Sequence, residues 1–398
     1  MVGGALFDYT ADTETKGGII AKGAYSGGTF TWTADSIEPG FLSTPLGLMT
    51  DGLGGRLAFD PTGTTGYYVF NGRLSTNYNN NADSSMMPIV YKTTNSGATW
   101  NMVLAGYDWE VEHPEITKGV GVIQAITGGV HPTINYQHGT DLVVDANGVL
   151  HYVTTITLPY QNGRYIGGGH DSLQYTYTYK WDHVNNHPIV WDLMTDGTCW
   201  KTMLVDSLIS AYVGGDPAAD TTASFNAWQN GATYMPYGAH LTVSRSTDGA
   251  VVFYGWGDSD PNVTGTPYNS QPDMIMKAFD VNTNMASATT NITNGVGACY
   301  FSYVADNSYF DAGQSKWVVP FVYMVGRVQP APGVYDGLGA CDYYYGNCAT
   351  FGAGDINMPV TINNDALCLI GIKNNSNYVA SVINYPNPFN HNTNIVVN

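Results

Sequence analysis

Positive charge is what this 398-residue chain has least of: 14 Lys and Arg stand against 32 Asp and Glu, a net charge of −18. So few cations cannot neutralise a phosphate track, which excludes a nucleic-acid partner. Bare anionic membrane is disfavoured for the same reason. Charged residues of both signs make up only 12% of the chain, roughly half the usual share. Low charge alone would suit disorder, but aromatic and β-branched residues recur throughout. With 29 Tyr for cores and 47 Gly for turns, a folded all-β protein is the better reading.

Other absences narrow the field. No apolar run approaches the ~20 residues needed to span a bilayer, so no membrane insertion is expected. No basic-then-apolar leader opens the chain, which therefore reads as cytosolic or as mature after processing. The five cysteines include no CxxC pair, so a structural zinc site is not expected. Cys341 and Cys348 flank "DYYYGN", a short loop that a disulfide would close; the alternative is a set of buried free thiols. Glutamate is scarce, and three of the five crowd into "DWEVEHPE" (108–115). In an extended strand Asp108, Glu110 and Glu112 share one face. That is the pattern of a cation site or a glycosidase carboxylate pair, and equally of a solvated edge whose charges discourage further pairing. The nearest histidine pairs, 131/138 and 183/187, lack ligand spacing, so no catalytic metal is expected. No cofactor is expected either, except that "WGDSDPN" (256–262) gathers Asp258, Asp260 and Asn262. Such short oxygen ligands suit a structural Ca²⁺ loop, and plain turn chemistry explains them as well.

What is present is a repeat. "LAFDPTGTTGYYVF" (57–70), "DLVVDANGVLHYVTT" (141–155), "LTVSRSTDGAVVFYGW" (241–256) and "YVADNSYFDAGQSKWVVPFVYM" (303–324) each place an Asp/Asn/Gly turn between two apolar strands. Asp60, Asp145, Asp248 and Asp306 mark the turns, because Asp, Asn and Gly tolerate positive φ. The second strands are almost wholly apolar, as strands buried on both faces must be. Only "MLVDSLISAYV" (203–213) offers modest helical periodicity.

A second hairpin type alternates with the first. "IVYKTTNSGATW" (89–100) resembles the Asp-box, S-x-D-x-G-x-T-W, of sialidase-like β-propellers, with Asn95 at the Asp position. "LMTDGTCW" (193–200) keeps Gly197 and Trp200, and "AYSGGTFTW" (24–32) is a looser copy. "DMIMKAFDVNTN" (273–284) and "ALCLIGIKNNSN" (366–377) read as further outer strands. Alternating inner and outer hairpins are how four-stranded propeller blades are written, so the expected fold is an all-β propeller of at least five blades with long insertions. A pair of β-sandwiches is the alternative. Trp100 and Trp200 should lie between adjacent sheets, and the first blade should be incomplete. The resemblance also implies sialidase chemistry, which needs three arginines around a carboxylate and a Tyr–Glu pair. The five arginines here, Arg56, Arg73, Arg164, Arg245 and Arg327, include no early Arg-Ile-Pro motif, so an enzyme is not expected.

The tail completes the reading. "YPNPFN" (385–390) resembles the start of the C-terminal sorting domain of proteins exported by the Bacteroidetes type IX secretion system, with His391 replacing its final proline. The chain thus divides into a propeller over 1–384 and a tail over 385–398. The resemblance implies an extracellular, cell-surface protein. The expected role is structural or adhesive, with copies of itself or other surface proteins, and glycans, as partners. "TNIVVN" would be lent to a neighbouring subunit, with Ile395 and Val397 on one face and Val396 on the other. A carbohydrate-active propeller, hydrolase or lectin, is the alternative.

Overall fold

A computed structural model describes residues 1–8, 14–44, 47–48, 50, 54–75, 87–105, 115–116, 133–134, 139–157, 189–208, 240–259, 272–294, 299–325, 342–365 and 368. Three antiparallel strands, β1 (Val2–Asp8), β2 (Glu14–Ser26) and β3 (Thr29–Ile37), open the chain in the order β1-β2-β3. A ribbon of β4 (Ser43–Thr44) and β5 (Gly47–Leu48) leads into a meander of β6 (Arg56–Phe59), β7 (Gly66–Gly72), β8 (Met87–Thr93) and β9 (Asn101–Val103). After β10 (Thr133–Ile134) a second meander follows: β11 (Asp141–Val144), β12 (Leu150–Thr157), β13 (Ile189–Thr195) and β14 (Trp200–Ser207). The third comprises β15 (Thr242–Ser246), β16 (Val251–Ser259), β17 (Pro272–Asp280) and β18 (Met285–Ser287), with β19 (Thr290–Asn291) beside β17. In the fourth, β20 (Cys299–Val304) and β21 (Asn307–Asp311) together form one interrupted strand against β22 (Lys316–Val325), which pairs with β23 (Asp342–Gly352). Two last strands run back along the outer rim: β24 (Ile356–Pro359) pairs with β18, and β25 (Ile362–Asn364) with β14.

The first strands of successive sheets sit side by side. β1 neighbours β6, β6 neighbours β11, β11 neighbours β15, and β15 pairs in parallel with β21. Five sheets stacked around a row of inner strands are a β-propeller arrangement, with the incomplete N-terminal blade the sequence implied. The period-2 alternation of strands explains the stacking. On β7, Tyr67 and Val69 join Leu150, Tyr152 and Trp200 of the second meander, while Tyr68 and Phe70 join Ile20 and Ile37 of the N-terminal sheet. On β16, Val252, Tyr254 and Trp256 face the second meander, and Val251 and Phe253 face the fourth. Each such side chain, fully buried, contributes about 1.5–3 kcal/mol.

Trp200 is sealed between two meanders, and half-buried Trp100 packs edge-on against Phe59 and Tyr68 where the N-terminal sheet meets the first meander. Two expectations need correction. Residues 203–207 continue strand β14 rather than a helix, because Met203 and Val205 alternate inward with Leu204 at half exposure; 209–213 lie outside the described residues. Asp306 does not mark a turn but falls in the break between β20 and β21. The fourth hairpin turn is held by Asp311, whose carboxylate accepts the Gly313 and Gln314 amides at 2.8 and 3.3 Å.

Candidate functional site

Several charged side chains lie on the first strands of the sheets. Arg56 opens β6 and donates through Nε to the Thr140 hydroxyl at 2.9 Å. Asp141 opens β11, and its two oxygens accept the Leu142 and Val243 amides at 2.9 and 2.8 Å, so one carboxyl ties β11 to β15. Burial pushes Asp141 up to about 6, and Asp306 adds to the rise; the two amides and Arg56 oppose it. Arg245, half-buried on β15, donates to the Ser246 carbonyl at 3.2 Å; burial lowers its pKa, opposed by the more distant charges of Asp60, Asp248 and Asp306. Arg73 lies instead at the end of β7, and Arg164 and Arg327 fall outside the described residues. Among the described residues, Arg56 and Arg245 are the arginines on inner strands.

A second constellation is buried between the second and third sheets. His151 on β12 lies 2.7 Å through Nδ1 from Asp192 Oδ2 on β13, and the Tyr254 hydroxyl of β16 donates to the same oxygen at 2.7 Å. His151 Nε2 stands 3.6 Å from Asp145 Oδ2. Burial alone would lower the imidazole, but Asp192 and Asp145 overcome it and raise His151 to about 10. Burial, reinforced by Asp192, pushes the Tyr254 phenol well above its ordinary value. All four residues are 2% exposed or less, so no substrate reaches the imidazolium and the network acts as a cross-sheet brace. Asp145 and His151 share one hairpin in the sequence, but Asp192 and Tyr254 are supplied by other strands, so spacing could not expose the set.

Among the described residues, two groups of exposed apolar side chains stand out. On the β2–β3 ribbon, Tyr25, Phe30 and Trp32 are 67%, 58% and 56% exposed and touch one another, with ring centroids 5.0 and 5.7 Å apart. On the outward face of the fourth sheet, Tyr303 pairs with Val322 and Tyr309 with Val318. Tyr303, Tyr309 and Val322 are 52%, 50% and 42% exposed, although the opposite face of β22 is packed against the third sheet.

No protein-family profile and no curated protein matches the chain. Among solved structures it is similar to a Hadza microbial sialidase at 10% identity and a TM-score of 0.33, covering 78% of this chain and 46% of that one. It is also similar to an ancestral GH74 enzyme at 10% identity and a TM-score of 0.21, covering 79% and 39%. The chain thus spans less than half the length of either. The propeller arrangement rests on the sheet series itself.

The residues singled out in the sequence fare differently. Asp258 is buried near the end of β16, opposite Asp273 of β17, not in an open cation loop; Asp260 and Asn262 lie outside the described residues. Asp273 instead accepts from Asn291 Nδ2 at 2.7 Å and Thr293 Oγ1 at 3.2 Å. Cys348, expected to pair with Cys341, carries a free exposed thiol on β23, opposite Pro320 of β22; Cys341 is not described. Among the described residues, a disulfide joins Cys199 to Cys368 across 169 residues, beside buried Asp365. These three side chains come close enough to hold a metal ion, but sulfurs bonded to each other are not thiolate ligands. Of "DWEVEHPE" only Glu115 is described, accepting the Thr202 hydroxyl at 2.6 Å. His131, His138, His183, His187 and the tail residues Ile395, Val396 and Val397 are outside the described set. No described helix is long and apolar enough to cross a membrane.

Proposed function

We propose that this chain is an extracellular structural or adhesive propeller subunit that self-associates head to tail. The observation that supports it is the fourth sheet's outward face. The described interfaces between sheets are filled by apolar side chains, whereas on this face Tyr303, Tyr309 and Val322 stay about half exposed beside buried Val318 and Met324. A contact between unlike surfaces repeats without closure and yields a fibre. The tail strand at Ile395, Val396 and Val397 is the proposed second tether, and the sorting-like "YPNPFN" supports surface export. Electron microscopy of the full chain tests the reading. Filaments that vanish with Val322→Lys or on removal of residues 391–398 support it; a chain that stays dispersed at all concentrations overturns it. A second reading, a carbohydrate-active propeller, draws on Asp141, a carboxyl held near 6 on an inner strand. Hydrolysis of a glycan substrate that is lost in Asp141→Asn, with folding intact, would favour it instead.

A further inference from the structure

Among the described residues, the N-terminal blade has three strands where the complete meanders have four, and its outer strand β3 pairs only on its β2 side. Elsewhere on the rim, the outer strands of the second and third sheets are each capped by a later strand, β25 on β14 and β24 on β18. β3 runs nine residues, pairs with β2 without a register shift, contains no proline and is exposed at every position but Ile37. Natural sheets blunt such an edge with a charge, a bulge or a proline. Here the only charge is Asp35, and Thr29–Ala34 carry none, so a second acidic chain meets no like charge along that stretch.

We infer that β3 pairs antiparallel with β3 of a second copy of this chain, centred on Thr31. That register sets Phe30 opposite the partner's Trp32 on one face and Thr29 opposite the partner's Thr33 on the other. Aromatic and threonine pairs directly opposite each other are the favourable cross-strand combinations. The two-fold relation makes the strip its own complement. The ring face also continues inward: Tyr25 pairs with Phe30 on β2, and the Phe30 and Trp32 rings lie over Gly23, where a Cβ would come within 3.0 Å of Trp32. On the polar face Lys22 Nζ donates to the Ser96 carbonyl at 3.0 Å, bracing the ribbon against the first meander. This contact deepens the self-association reading but uses a different surface from the fourth sheet.

Light scattering of the full chain in a Val322→Lys background separates the two contacts. The inference expects twice the 42.9 kDa chain mass. Phe30→Lys with Trp32→Lys places like charges opposite each other and should weaken dimerisation by at least ~10-fold, with an unchanged circular dichroism spectrum. Phe30→Lys with Trp32→Glu places opposite charges in register and should restore the dimer. A monomer in the Val322→Lys background, or failure of the Lys/Glu variant to recover, overturns the inference. So does loss of the dimer on removal of residues 391–398, which would assign the edge to the tail strand.

Discussion

His151 shows how one side chain can set a pH limit for the whole fold. Its folded pKa of about 10 lies above the ~6.5 of an exposed imidazole, so the folded state holds the proton more tightly. The stability it contributes is full below pH ~6.5 and is lost as pH rises from there through 10. Thermal melts at pH 6 and 9.5 should show a fall in Tm that His151→Gln largely removes. That substitution leaves Asp192 and Asp145 without their cation and is expected to cost about 3–5 kcal/mol at neutral pH. Cysteine reactivity tests a second residue-scale claim. Exposed Cys348 should be alkylated in the native protein, whereas Cys299, buried and pushed up to about 11, should label only after unfolding. Native protection of Cys348 would restore the case for its pairing with Cys341.

At the scale of an element, the turn between β8 and β9 is held by two side chains. Asn95 Oδ1 accepts the Thr99 amide at 2.9 Å and Thr93 Oγ1 accepts the Gly97 amide at 3.0 Å, closing the loop over Trp100. Gly97 has φ +73°, a conformation that costs a side-chain-bearing residue roughly 1–2 kcal/mol. Asn95→Ala should therefore destabilise by about 1–2 kcal/mol and Asn95→Asp by much less, measured by denaturant midpoint. The turn between β13 and β14 repeats the device: Thr195 Oγ1 accepts the Gly197 amide at 2.8 Å, and Gly197 has φ +90°. Both turns were legible in the sequence because their bonding partners lie within a few residues of each other.

For the whole molecule, the rim strap is the feature with the longest reach. β24 and β25 carry the chain back from the fourth sheet to the second, where Asp365 accepts the Trp200 amide at 2.9 Å and Cys368 is bonded to Cys199. A cross-link spanning that much chain restricts the unfolded ensemble by up to about 5 kcal/mol. Reduction, or Cys199→Ala with Cys368→Ala, should lower Tm with no loss of the inter-sheet cores, read by near-ultraviolet circular dichroism. An unchanged melt would show that β24 and β25 hold the rim without the bond.

The sequence by itself determined most of the strands, three of the four inner hairpin turns, the asparagine and glycine turns and the burial of both faces of β7 and β16. Each depends on alternation or on hydrogen bonds a few residues apart, which a linear reading captures. Only the tertiary structure decided that Cys199 finds Cys368. It alone brought Asp192 and Tyr254 to His151, and placed Asp258 inside a sheet rather than in a loop. Those outcomes depend on which strands lie across from one another after the sheets stack. That choice is made by the summed burial of many side chains, and no local spacing records it.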